Sequence, residues 1–276
     1  MSDQIQEVLV DVKENVLNIF LRICQSIGHS LLSFLQSIGA LSLYVIKAVT
    51  HCFTPPWYPR QILRQFIDIG YYSLPVVGMT AIFTGMVLAL QSYNGFTRFN
   101  AESAIAGVVA LSVTRELAPV LAGLMVAGRI GASIAAEIGT MRVTEQIDAL
   151  TTLSVNPYKY LVAPRVIAGT LTLPFLVLIA DIIGVYGGYI VSIYSLGFSE
   201  GNYLNQTWDT LQTMDVVSGL IKAAVFGFIV TMMGCYHGYY SGRGAQGVGL
   251  ATTYAVVSGS ILILISNFFL TKAFFS

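Results

Sequence analysis

Residues 161–194 read LVAPRVIAGTLTLPFLVLIADIIGVYGGYIVSIY, a run in which Arg165 and Asp181 are the only charges. A hydrocarbon core about 30 Å thick is crossed by about 20 mostly apolar helical residues, so this run spans a bilayer with length to spare. Outward from it, residues 69–90, 105–136, 216–235 and 248–270 meet the same requirement. Composition agrees. Of 276 residues, 55% are hydrophobic and 10% charged, and the mean hydropathy is +0.73. Soluble domains carry about 25% charged residues, and a water-soluble fold has no place to hide this much apolar surface. The expectation is an all-α membrane protein with five core transmembrane helices.

Residues 15–50 form a further apolar region, interrupted by Arg22, His29 and Lys47 and rich in Ser, Gln and Gly. We read residues 1–54 as amphipathic helices lying in the interface, with a sixth span as the alternative. Residues 55–276 then make the transmembrane domain. The junction Thr54-Pro55-Pro56-Trp57-Tyr58-Pro59-Arg60 ends a helix with prolines and offers headgroup-level aromatics.

Basic residues set the orientation. Arg60 and Arg64, then Arg142, Lys159 and Arg165, then Arg243 mark one side; the other loops hold only Arg98 and, over 195–215, no base. The positive-inside rule makes the first set cytoplasmic. Residues 91–100, 195–215 and the C-terminus then lie on the far side. Lys222 and Lys272 dissent, and both are expected to snorkel to an interface. The acidic start MSDQIQEVLVDVKEN lacks the basic region of a secretory signal.

Residues 115–150, RELAPVLAGLMVAGRIGASIAAEIGTMRVTEQIDAL, carry the chemistry. Gly123, Ala127, Gly131 and Ala135 recur every four residues, with Gly128, Ala132 and Ala136 in an adjacent row. Such rows let helix backbones approach closely in lipid, either between subunits or within one chain. Arg115 and Glu116 sit inside an apolar run, where charges pair, face a cavity or touch substrate. Pro119 removes a helical hydrogen bond and is expected to break the span. Glu137–Leu150 should leave the membrane as a short helix N-capped by Thr140, with Ile138, Met141, Ile147 and Leu150 apolar and Glu137, Arg142, Glu145 and Asp148 charged. Lipid-surface helices favour Lys and Arg; three acids against one base favour a protein groove instead.

This stretch, followed by NPYKYLVAPR at 156–165 and preceded by ALQSYNGFTRFNAES at 89–103, resembles the signature of the MlaE/YrbE permease family. The likeness covers about residues 55–272. Members are membrane subunits of ABC lipid importers and exporters that work with MCE-domain proteins. The resemblance implies a homodimeric permease in the inner membrane, moving phospholipid or a related lipid. It implies a cytoplasmic coupling helix in which Glu137, Gly139, Thr140, Met141, Arg142, Glu145 and Asp148 meet the ATPase subunit. It also implies a lipid pocket at the dimer centre, on the side facing the MCE partner, lined by Phe99 and by the Arg115, Glu116 and Pro119 element. Leu117-Ala118-Pro119 stands where leucine-glycine-proline is commoner.

Energy must come from elsewhere. No G-x-x-x-x-G-K-[ST] loop occurs, so ATP and magnesium are expected in a partner chain and no cofactor in this one. The G-x-G-x-x-G at 242–247 lies between two spans without a βαβ unit, and reads as a connection. Cys24, Cys52 and Cys235, like His29, His51 and His237, are scattered, so no metal site is expected. The sequon at 205–207 is a chance match, and Tyr236, Tyr239 and Tyr240 read as an aromatic belt. Gly184 and Gly188 offer another close-packing point. Asp181 needs a partner or a wet cavity. Zero formal net charge implies no nucleic-acid partner. A secondary transporter would show paired repeats, which are absent; an intramembrane hydrolase would need a catalytic cluster the sequence does not offer.

Overall fold

The computed structural model describes residues 2–99, 101 and 104–275, with side chains from residue 22 onward except at 23, 24, 26, 27, 30, 34 and 99. No strand occurs among the described residues. Two units divide the chain, one up to Lys47 and one from Ala48.

The N-terminal region differs from expectation. It forms one helix, α1 (Ser2–Phe53), in place of several interfacial helices. Arg22, His29 and Lys47 are costly in lipid but do not break a helix, and the first proline is Pro55. Within α1, Leu31–Phe53 is long and apolar enough to cross a membrane, which makes six candidate spans among the described residues.

The second unit builds the other five. The first combines α2 (Pro59–Ile69), a 3-10 turn at Tyr71–Ser73 and α3 (Leu74–Phe96). The second runs from Ile105 to Val143 as α4 (Ile105–Ser112), α5 (Ala118–Val126) and α6 (Ala132–Val143), joined by π-helical turns at Val113–Leu117 and Ala127–Gly131. Then come α7 (Gln146–Thr152), α8 (Ala163–Tyr194), α9 (Glu200–Thr210), α10 (Thr213–Tyr239) and α11 (Gly244–Phe275). The G-x-G-x-x-G segment is a tight turn before and into α11, with Gly244 at φ +74°, a conformation that favours glycine.

Helix α8 sits at the centre, against α3 on one side and α10 on the other; α10 also packs on α6 and α11. Glycine pairs set these approaches. A β-carbon on Gly85 of α3 would collide with the Gly184 carbonyl of α8, and one on Gly227 of α10 with the Gly169 carbonyl. Backbone cannot yield as a side chain does, so Gly85→Ala is expected to destabilise by about 1–3 kcal/mol. Thermal unfolding in detergent measures this, and an unchanged midpoint would contradict the crossing. Around the core, Phe83, Phe175, Ile182 and Phe269 are each more than half exposed. Apolar exposure on this scale suits a surface solvated by acyl chains rather than by water.

Pro119 does not break the second span. The π-helical turn precedes it, with the Ala118 amide bonded to the Val113 carbonyl, and the helix continues through α5. The segment after α6 also differs from expectation. Thr140 is no N-cap: it lies inside α6, its hydroxyl donating to the Ala136 carbonyl at 2.7 Å. The span runs to Val143, turns through Thr144 and a left-handed Glu145 (φ 59°), and resumes as α7. The single short helix expected over 137–150 is thus the end of one helix, a kink and a second helix.

Candidate functional site

At membrane depth, the π-helical turn Val113–Leu117 presents Arg115 and Glu116 toward α10 and α11. They do not pair with each other. Glu116 Oε1 accepts from Lys222 Nζ at 2.7 Å and from Thr271 Oγ1 at 3.0 Å, and Oε2 accepts from Asn267 Nδ2 at 3.0 Å. Lys222 therefore does not snorkel. Its side chain is wholly buried, and the ammonium also donates to Thr271 Oγ1 at 2.8 Å and to the Arg115 carbonyl at 2.9 Å.

That last bond explains the neighbouring proline. Pro119 has no amide hydrogen to offer the carbonyl four residues back, which belongs to Arg115. In lipid an unsatisfied carbonyl is costly, and Lys222 satisfies it. Arg115 turns the other way. Its Nε donates to Asp215 Oδ1 at 2.7 Å, and its guanidinium lies over the Phe275 ring at 4.3 Å. The other Asp215 oxygen accepts from the Gln212 amide at 2.9 Å, closing a capping box at the start of α10. Asp215 is buried, whereas Glu116 is about a third exposed, at 36% of its side chain. A carboxylate held by three donors at an accessible edge can meet a polar group arriving from the membrane. Thr271→Val removes one donor and is expected to cost about 1 kcal/mol, read as a lower unfolding midpoint with the helices intact.

Among the pocket residues expected from sequence, Arg115, Glu116 and Pro119 come together here, with Pro119 buried. The side chain of Phe99 lies outside the described residues. The reading missed Asp215, Asn267 and Thr271, which are ordinary polar residues of their helices. It misplaced Lys222, whose position inside an apolar run was the available signal. Arg129, also unremarked, sits in the second π-helical turn and donates to Ser73 Oγ at 2.7 Å.

The small-residue row is filled within the chain. Gly123 lies beside Phe226 and Ile263, Gly131 beside Val230, and Ala135 against Gly238, while Ala127 is buried. Of the adjacent row, Gly128 is exposed and Ala132 and Ala136 half-buried.

At the other end of the second span, Glu137 Oε1 pairs with Arg165 Nη2 at 2.8 Å, and Arg165 also donates to the Leu161 carbonyl at 2.7 Å. Gly139 is buried, and its carbonyl accepts from Ser241 Oγ at 3.4 Å. Met141 is half-buried beside a polar cavity of about 310 Å³ that Glu137 and Arg165 also line. Arg142 and Asp148 pair at 2.7 Å across the kink. Ile138 and Ile147, apolar members of the expected docking face, are buried within the chain. Thr140, Arg142, Glu145, Gln146 and Asp148 are exposed. Val143 and Leu153 are exposed as well, at 38% and 73%, so what this end offers a partner is a mixed surface, polar and acidic with apolar side chains beside it. Lys159 anchors it by donating to the Pro55 carbonyl at 2.7 Å.

No group of three or more His, Cys, Asp or Glu able to hold a metal occurs among the described residues. His237 Nε2 lies 3.0 Å from Ser258 Oγ, but that hydroxyl is directed at the Tyr254 carbonyl at 2.6 Å. A serine–histidine contact without an orienting acid is not a hydrolytic triad.

Comparison with known proteins agrees with this architecture. The family model described as Permease MlaE matches residues 62–273. A probable ABC transporter permease protein of Rickettsia felis is 62% identical over 92% of this chain and 98% of its own length. The chloroplastic protein TRIGALACTOSYLDIACYLGLYCEROL 1 of Arabidopsis thaliana is 39% identical over 86% of this chain and 66% of its own. The intermembrane phospholipid transport system permease protein MlaE of Haemophilus influenzae is 32% identical over 91% of this chain and 96% of its own. A six-candidate-span helical chain, matched over most of its length by permeases, is a multi-pass membrane protein and belongs to the MlaE permease family.

Proposed function

We propose that this permease moves phospholipid, or a related lipid, between the inner membrane and an MCE-domain partner, driven by a separate ATP-binding subunit. The observation that carries the reading is Glu116, a carboxylate braced by Lys222, Asn267 and Thr271 among apolar helices and still reachable from outside. Lipid extraction needs a greasy surround with a few fixed polar groups for the headgroup. A soluble substrate would need a more polar path. The name of the Haemophilus influenzae relative supports phospholipid as the substrate class.

The subunit works as a homodimer around a lipid pocket on the far side, formed by Phe99, Arg115, Glu116 and Pro119. Because Gly123, Ala127, Gly131 and Ala135 are filled from within, the outer row from Gly128 to Ala136 and the exposed edge of α11 remain for the second copy. Tyr254, Val257, Ile261 and Phe268 on that edge are each half exposed or more. Nucleotide-driven closure enters through the exposed polar surface at Arg142, Glu145 and Asp148 and travels along the second span to Glu116.

The test is purification of the tagged chain in mild detergent, with mass spectrometry of the proteins and lipids that accompany it. An ATP-binding subunit, an MCE-domain protein and bound phospholipid are expected. Recovery of the chain without a nucleotide-binding partner would move the reading to a secondary transporter or an enzyme.

A further inference from the structure

A cavity of about 590 Å³ lies between the second half of α8, α9 and the start of α10. Its size falls in the range of small-molecule sites, about 300–1,000 Å³. Leu178, Val185, Leu204 and Leu211 give it an apolar wall. Ile182, Tyr186 and Trp208 also line it and are 65%, 57% and 76% exposed, so its mouth lies on the lipid-facing surface. Set into the wall is Asp181, only 5% exposed, and neither of its carboxyl oxygens has a hydrogen-bond partner among the described residues.

A buried carboxyl without a donor is costly at membrane depth. The chain's cations nearby in the fold are engaged elsewhere: Arg115 holds Asp215, and Lys222 holds Glu116. Thr114, Tyr203 and Thr207 add hydroxyl groups to a lining that is otherwise mostly apolar. Something with both an apolar body and a hydrogen-bond donor suits such a wall better than a bare acyl chain.

We propose that this cavity is a second binding site, separate from the Glu116 network, for a membrane amphiphile that lays its chain along α8 and α9 and sets a donor group against Asp181. The donor is a hydroxyl or an ammonium; both present N–H or O–H to the carboxyl, and bilayer lipids carry either. The site depends on the chain's embedding in lipid and not on the direction or partners of transport. Trp208 and Tyr189 at its rim suit the interfacial level from which such a molecule would enter.

The test uses the full chain in phosphatidylcholine vesicles and three photoreactive probes of equal chain length: a hexadecyl alcohol, a hexadecyl amine and a hexadecane. The alcohol, the amine or both are expected to label peptides containing Ile182 and Trp208 about fivefold more than the alkane, the scale of one net hydrogen bond. Asp181→Leu should erase that preference. Asp181→Asn separates the donors: an alcohol preference that persists identifies a hydroxyl site, and an amine preference that disappears identifies an ammonium site. Val185→Trp fills the cavity without altering the carboxyl and should abolish labelling by all three probes, which keeps the idea testable if Asp181→Leu misfolds. Equal labelling by the three probes in the parent, or a preference unchanged in a folded Asp181→Leu protein, overturns the proposal.

Discussion

A Lys222→Met variant is expected to lose lipid transport and about 2–3 kcal/mol of stability, below the scale for a fully buried ion pair because Glu116 is about a third exposed. Two losses coincide in that one side chain. Glu116 is left ionised among apolar helices with only Asn267 and Thr271 as donors, and the Arg115 carbonyl, deprived of a helical donor by Pro119, loses its substitute. The two can be separated. Adding Glu116→Gln removes the stranded charge and should recover most of the stability, yet not transport, if the charged pair is what meets the headgroup. Adding Pro119→Ala instead restores an amide for the Arg115 carbonyl and should recover about 1 kcal/mol. Thermal unfolding in detergent reads the first quantity, and lipid transfer from vesicles in the assembled transporter reads the second. A single variant as stable as the parent would show that Lys222 does not carry the network. Full transport in the double variant would remove the pair from the lipid path.

How much of this was legible in the sequence depends on the range of the interaction. The five core spans follow from runs of apolar residues, a local property, and each run lies within one candidate span of the structure. The interruptions at residues 22, 29 and 47 do not divide the N-terminal helix because charge and helix continuity are different properties: a charge weighs against lipid but leaves the backbone hydrogen bonds intact. Pro119 did mislead. Its missing amide was read correctly, but a lysine more than a hundred residues away repairs the defect, and sequence does not show that meeting. The same holds for Asp215, whose dual role as α10 cap and Arg115 partner depends on two helices arriving together. Small residues gave spacing without saying what they face, and their partners on α10 and α11 appear only in three dimensions. At the junction of α6 and α7 the apolar members were identifiable, but their direction was not: Ile147 turns inward because the chain kinks at Glu145, a residue type with no strong left-handed preference.

That kink makes the coupling assignment separable from the stability of the spans. Reversing charge at Glu145 and Asp148 together, both to lysine, is expected to weaken association with the ATPase subunit by about tenfold or more, the effect of losing an interface hot spot. The structural cost should be small. Glu145 is exposed, and the Arg142–Asp148 pair is 41% and 59% exposed on its two side chains, so it contributes at most about 1 kcal/mol. Backbone shape needs its own control, because Glu145 holds a left-handed conformation at φ 59°. Glu145→Gly keeps that conformation and drops the charge, so it should weaken association while leaving the unfolding midpoint unchanged or higher. Glu145→Val drops the charge and strains the backbone as well, at a cost of about 1–3 kcal/mol. If the acidic surface is what the partner reads, the glycine variant behaves as the lysine pair does, to a smaller degree. If the kink is what matters, glycine is neutral and valine alone uncouples. Co-purification of the ATPase subunit with each variant, together with ATP hydrolysis by the recovered complex, distinguishes these results. Parental association and hydrolysis in the double lysine variant would place coupling elsewhere on the chain.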